Sequence, residues 1–272
     1  MSLSHREGLV RLARKHNALI VTDDVYDFLQ WPTDNTPTSA LKHALLPRLV
    51  DIDRTLAPVP GPEEYGNAVS NGSFSKIAGP GMRTGWADAS LKFTYGLSQC
   101  GSSRSGGAPS QVSATIMCEL MKNGQLVKHI IEVLQPAYQR RWKIMMDALA
   151  THIFPLGLSV RTKEIQKTQQ VFGGYFIWLD LPDGIDAEGL VSHALKSENL
   201  IVAAGPMFEV EGDASVKFAG SLRLCFAWEE EEDLKAGVER LGRAVKRYLD
   251  GGVGSEKGLS GSGFKQSMGE FQ

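Results

Sequence analysis

Cysteine is scarce: three residues in 272, at Cys100, Cys118 and Cys225, with no CxxC spacing. An odd, scattered set excludes a disulfide framework or a thiolate zinc site, and it reads as the reduced thiols of a cytoplasmic protein. The six histidines (His5, His16, His43, His129, His152 and His193) fall at no ligand spacing, so no metal is expected. No apolar run approaches the roughly 20 residues of a membrane-crossing helix. The opening Met-Ser-Leu-Ser-His-Arg-Glu has no apolar stretch of the kind a secretory signal needs. An excess of one charge is also missing. With 29 basic against 31 acidic residues the formal charge is -2, which argues against nucleic acid or a membrane surface as partner. No internal repeat is evident, and the absence of GxxxxGK[ST] excludes a Walker-type phosphate loop.

What is present is a globular composition, 42% hydrophobic and 22% charged, long enough to bury a core without staples. Ser4 and Glu7 have capping-box spacing, and Leu9, Leu12 and Ala13 give the following helix one apolar face. Residues 18–21 read as a short buried strand ending in Thr22-Asp23-Asp24, and a helix feeding such a strand points to an α/β fold with a parallel sheet. The stretch 32–66 is rich in turn formers, with one short helix expected around 39–46 and an irregular Pro58-Val59-Pro60-Gly61-Pro62. Strands are expected over 67–74 and 84–87. Pro109 is placed where a first-turn proline is tolerated, before a helix over 110–122.

From Gln125 to about residue 150 a long helical pattern runs past Pro136, which must kink or break it. Beyond Thr151 the units shorten: strands over 171–181 and 221–227, helices over 187–196 and 230–248. The Gly/Ser-rich residues 251–272 read as a flexible tail. The long helix is the expected connector between two domains.

Three segments carry chemistry. Thr22-Asp23-Asp24-Val25-Tyr26 puts two carboxylates at the C-terminal end of a buried strand, the edge where open α/β sheets bind ligands; turn and cap roles remain open for these acids. Gly72-Ser73-Phe74-Ser75-Lys76, followed by Gly79-Pro80-Gly81-Met82-Arg83, offers hydroxyls and a guanidinium suited to a phosphate; a solvated turn is the plainer reading. In Leu222-Arg223-Leu224-Cys225-Phe226, alternation sends Arg223 to the face opposite three apolar residues. It would serve there as the partner of a substrate carboxylate or as a surface arginine.

Taken in order, Asp23-x-x-Tyr26, Ser73-x-Ser75-Lys76, Arg83 and Arg223 resemble the signature of the fold-type I pyridoxal-phosphate enzymes. The likeness is to class I/II aminotransferases of the kynurenine, α-aminoadipate and aromatic branch. Pro80-Gly81-Met82-Arg83-Thr84-Gly85-Trp86, Gly173-Gly174-Tyr175-Phe176-Ile177-Trp178 and Gly205-Pro206 extend it over most of residues 1–250. The resemblance implies a partial large, cofactor-binding domain with a mostly parallel sheet at 1–124, a connecting helix at 125–150 and a smaller C-terminal α/β domain at 151–250. It implies pyridoxal 5′-phosphate as cofactor, amino acid and 2-oxo acid as substrates, and a homodimer. Lys76 would form the Schiff base and carry the proton between the substrate Cα and the cofactor. Asp23 would pair with the ring nitrogen, Tyr26 with the ring's phenolic oxygen, and Ser73, Ser75 and Arg83 with the phosphate, while Arg223 would hold the α-carboxylate. Asp24 has no role in that scheme. Tyr26, Phe28, Trp31 and Phe208 are candidates to line a pocket or to pack a core.

The family's usual N-terminal portion, with an aromatic that stacks on the cofactor and further phosphate ligands, has no counterpart ahead of Asp23. A truncated chain, or half a site, is therefore expected. The same lysine and aspartate would serve a lyase or decarboxylase, and an inactive remnant acting only as an interaction partner is the third reading.

Overall fold

The computed structural model describes residues 1, 3–33, 47–57, 65–106, 110–161 and 171–251. The expected helix at 39–46, the Pro58–62 stretch, Pro109 and nearly all of the tail lie outside them. The elements run α1 (Leu3–Lys15), β1 (Ile20–Asp23), β2 (Gln30–Pro32), α2 (Leu49–Thr55), β3 (Ala68–Ser73) and β4 (Gly85–Asp88). Helices follow: α3 (Leu91–Ser98), α4 (Gly101–Arg104), α5 (Gln111–Lys122), α6 (Gln125–His129) and α7 (Gln135–His152). The remainder is β5 (Ser159–Val160), β6 (Val171–Gly173), β7 (Phe176–Asp180), α8 (Ala187–Glu198), β8 (Ala203–Ala204), β9 (Ser221–Cys225) and α9 (Glu231–Asp250). Two compact units share this chain, one of Met1–Lys143 with Thr162–Tyr175, the other of Ile144–Arg161 with Phe176–Gln272.

In the first unit the sheet order is β1-β3-β4. β1 and β3 are parallel, with Ile20 opposite Ala68 and Asp23 opposite Asn71; β4 returns antiparallel, with Trp86 opposite Gly72. Helices α1 and α2 contribute Val10, Leu49, Val50 and Ile52 to a core with Ala68. The inward face of α1 is Val10 and Ala13, while Leu12 is exposed, and the helix begins at Leu3, so Ser4 is not its cap. Arg14 binds Asp53 at 2.7 Å, and Asp53 also accepts the Asn67 N–H at 2.7 Å, which ties both helices to the start of β3. Trp31 is fully buried in the β2–β6 pair, opposite Phe172.

Pro136 breaks the long helix as its missing N–H requires. The backbone widens into a π-helical turn over Ile130–Leu134 and resumes as α7. The expected strand over 171–181 is two strands, β6 and β7. Gly174, at φ +80°, interrupts them in a left-handed conformation that a β-branched or bulky residue resists.

The second unit holds an antiparallel sheet in the order β5-β7-β9-β8. Ile177, Leu179, Leu222 and Leu224 face its core, where α8 and α9 add Leu190, Leu241 and Val245. Asp186 caps α8 by accepting the Gly189 N–H at 2.7 Å, and Glu231, Glu232 and Asp233 sit in the first turn of α9, where the helix dipole favours acids. Leu222 is fully buried. Leu222→Ala should lower unfolding free energy by about 2–5 kcal/mol through lost burial and the cavity left behind. Urea unfolding followed by circular dichroism checks this, and a loss under about 1 kcal/mol would show a loosely packed sheet.

Candidate active site

Parallel pairing sends β1 and β3 out of the sheet at one edge. Asp23, the last residue of β1, is paired in register with Asn71 and accepts a hydrogen bond from Asn71 Nδ2 at 3.2 Å. The chain then turns through Tyr26. β3 ends at Ser73, whose Oγ accepts the Ser75 N–H at 3.1 Å and donates to Ser75 Oγ at 2.8 Å, starting a one-turn 3₁₀ helix, Phe74–Lys76. Lys76 ends that turn with its Nζ 5.7 Å from the centroid of the Tyr26 ring. Asp23, Tyr26, Ser73, Ser75 and Lys76 thus share the C-terminal edge of β1 and β3, the position at which α/β sheets place ligands.

Close packing below the turn depends on Gly72. A Cβ there would come within 2.1 Å of the Trp86 ring, which covers this glycine from β4 and meets the Phe74 ring at a tilt of 59° with centroids 4.8 Å apart. Arg83 follows the short turn Pro80–Met82 in the left-handed region, at φ +47°, and is exposed; its Nη1 donates to the Pro80 carbonyl at 3.1 Å. A non-glycine residue there stores strain, and such residues cluster at ligand sites.

Arg223 belongs to β9 of the second unit, and its guanidinium lies 4.1 Å from the Phe176 ring centroid and 3.9 Å from that of Phe208. Contact with two aromatic rings restricts the guanidinium while leaving its N–H edge suited to bidentate carboxylate binding. Of the other aromatics, Trp31 is core and Phe28 is exposed beside Trp86 at 6.1 Å.

Beneath the edge is a charged network that no short motif announces. Asp24 accepts hydrogen bonds from Thr22 Oγ1 and, at 2.6 Å, from the buried Ser70 Oγ, so it fastens the end of β1 to β3. Arg48 holds Asp51 by two bonds, at 3.0 and 2.9 Å, reaches Asp88 at 2.6 Å and lies 3.7 Å from Asp27; Arg54 also binds Asp88. Hydrogen bonds from Arg54 and Arg48 keep the Asp88 carboxyl below its usual range against burial. Burial works against Asp51 more strongly, and the bonds from Arg48 still hold it low. Asp27 is the exception. Burial, reinforced by Asp24, pushes it up to about 7, with Arg48 and Arg6 only partly opposing.

A family model described as aminotransferase class I and II matches residues 1–241. An uncharacterised protein of Saccharomyces cerevisiae is 35% identical over 250 residues, covering 91% of this chain and 53% of that protein. The 2-aminoadipate transaminase of Thermus thermophilus is 29% identical over 247 residues, covering 91% and 54%. Among solved structures, the α-aminoadipate aminotransferase of Thermus thermophilus, complexed with N-(5′-phosphopyridoxyl)-L-leucine, superposes with a TM-score of 0.67 at 27% identity, covering 91% of this chain and 55% of that one. The chain spans about half the length of the curated relatives it matches.

The raised Asp27 makes the stability of the fold depend on pH. A carboxyl that prefers its proton in the fold stabilises it below the unfolded value of 3.8, and that contribution is lost as pH rises towards 7. Asp51 and Asp88, held low, have the opposite slope, so the comparison must be with a variant that keeps them. Relative to the parent, Asp27→Asn should gain stability steadily from pH 4 to pH 7, by about 1–3 kcal/mol at the plateau. Urea midpoints across that range measure the gain, and a difference independent of pH would refute the assignment.

Proposed function

The chain belongs to the aminotransferase class I and II family, and on that premise we propose that it transfers an amino group between an amino acid and a 2-oxo acid, with Lys76 as the catalytic amine. Pyridoxal 5′-phosphate is the cofactor of this family. The donor set at the sheet edge fits it: a carboxylate for the ring nitrogen, a phenol for the ring hydroxyl, two adjacent hydroxyls and an arginine for the phosphate, and a primary amine for the aldehyde. That cofactor, when bound, supplies the aldehyde and a protonated ring that takes up the electron pair released at the substrate Cα.

Each residue then has one task. Lys76 Nζ would hold the cofactor by its aldehyde and would carry the proton from the substrate Cα. Asp23 keeps the ring nitrogen protonated, oriented for this by the Asn71 amide. Tyr26 Oη donates to the ring oxygen. Ser75 would donate to the phosphate, joined by Ser73 once its hydroxyl proton turns away from Ser75 Oγ, and Arg83 would supply the countercharge. Arg223 would bind the α-carboxylate, restricted by its contacts with the Phe176 and Phe208 rings. The substrates proposed are acids of the 2-amino and 2-oxo class, in a cytoplasmic homodimer as is usual for this family. Among the described residues no helix is long and apolar enough to cross a membrane.

The observation that carries this reading is the meeting of Asp23, Tyr26, the serine pair and Lys76 at one sheet edge. Titrating the protein with pyridoxal 5′-phosphate should produce the absorbance of a lysine-bound aldehyde, absent in Lys76→Ala. Given an amino donor, the parent should transfer its nitrogen to a 2-oxo acid at least about a hundredfold faster than Lys76→Ala. No absorbance in the parent would contradict the reading. Release of ammonia and a 2-oxo acid without an acceptor would assign a lyase instead.

A further inference from the structure

Two tyrosines outside that scheme converge on Lys76. Tyr175 Oη donates a hydrogen bond to the Lys76 carbonyl oxygen at 2.9 Å, and Tyr138 Oη donates to Tyr175 Oη at 3.1 Å. The directions are forced in sequence, since a phenol that spends its single proton on a carbonyl can take part in a second bond only as acceptor. The two rings are 4.9 Å apart, and Tyr138 also stacks on the buried Trp31. Tyr138 is therefore anchored in the aromatic core around β2 and α7.

The turn that presents Lys76 is held at its start by the Phe74 N–H donating to the Thr84 carbonyl at 3.1 Å and by the Ser73–Ser75 bonds. The Phe74 carbonyl accepts from the N–H groups of Ile77, Ala78 and Gly79 at 3.2, 2.8 and 3.2 Å, and the Lys76 carbonyl is bonded by Tyr175, 99 residues away in sequence. The ring of Tyr175 also stands 5.6 Å from Lys76 Nζ, the Tyr26 ring stands 5.7 Å from it, and the two rings meet edge-on at 5.1 Å. Gly174 serves both. Its left-handed backbone turns the chain into Tyr175, and a Cβ there would already be in contact with the Tyr26 ring, at 3.7 Å.

We propose that Tyr175, oriented by Tyr138, is a positioning residue for Lys76: it pins the turn through the Lys76 carbonyl and, with Tyr26, walls the space that Nζ sweeps. An amine on a four-carbon stem has many rotamers, and fixing both its root and its walls concentrates it where a ligand's reacting carbon would lie. The inference rests on Lys76 being the catalytic amine, and it assigns to the Gly174-Tyr175 pair a task in the site.

Competitive acetylation of the full chain without cofactor, read lysine by lysine by mass spectrometry, tests it directly. Tyr175→Phe removes one hydroxyl and keeps the ring. Acetylation at Lys76 should rise about threefold or more, the scale of one lost hydrogen bond, while Lys92, Lys122 and Lys235 keep their rates. Tyr138→Phe should raise it in the same direction by less, and it decides the matter if Tyr175→Phe does not fold. An unchanged rate at Lys76, or an equal rise at every lysine, overturns the proposal. Borohydride trapping of added pyridoxal 5′-phosphate on the parent separates the two ideas: failure to mark Lys76 contradicts the functional reading, whereas the acetylation ratios stand apart from it.

Discussion

The pairing of β1 with β3 is the constraint on which the first unit depends. Because the two strands run parallel and in register, with Asp23 opposite Asn71, both leave the sheet on the same side. What each strand emits is then set by the few residues that follow it. β1 is followed by a turn carrying Tyr26, and β3 by a single turn carrying Lys76. A shift of one residue would send Asp23 to the other face of the sheet, since side chains alternate. Register is fixed here by apolar contacts between the helices and Ala68, and by the Arg14–Asp53 pair that reaches Asn67.

Holding a carboxylate and an amine at a sheet edge has a cost, and the charged network below reflects it. Arg48 gathers Asp51 and Asp88 and lies near Asp27, while Asp24 accepts hydrogen bonds from the hydroxyls of Thr22 and Ser70. Removing one member of such a half-buried set leaves its partners with fewer compensating bonds, so its members are coupled. One carboxyl, Asp27, is left short of compensation and rises to about 7. The strand ends are thereby cross-linked by polar bonds at the place where apolar packing gives out.

Much of this was legible in the sequence, for identifiable reasons. A short apolar run located β1 and alternation located β9, and with β3 and β4 their ends were placed to within about two residues, the usual error at element ends. Pro136 announced the break in the long helix through its missing N–H. Asp23, Tyr26, Ser73, Ser75 and Lys76 were joined into one site by the resemblance of their ordered motifs to the fold-type I signature, and all five lie within a few residues of two strand ends. The rest was hidden by physics that is not local. β2 is three residues long and exists because Trp31 pairs with Phe172 across the chain, which no period reveals. Arg48, Asp88 and Tyr175 act through partners 40, 40 and 99 residues away. Asp24, without a part in the chemistry, fastens the strand that carries Asp23. Gly174 looks like an interior strand residue until its positive φ is seen.

For the proposed chemistry Asp23 and Lys76 must address one ring from the same sheet edge. A crystal structure of the chain grown with pyridoxal 5′-phosphate measures this most directly. It should show density continuous from Lys76 Nζ into the cofactor, with the ring nitrogen about 2.7–3.0 Å from an Asp23 carboxylate oxygen. Cofactor density bound away from the ends of β1 and β3, or a ring nitrogen facing anything but Asp23, would contradict it.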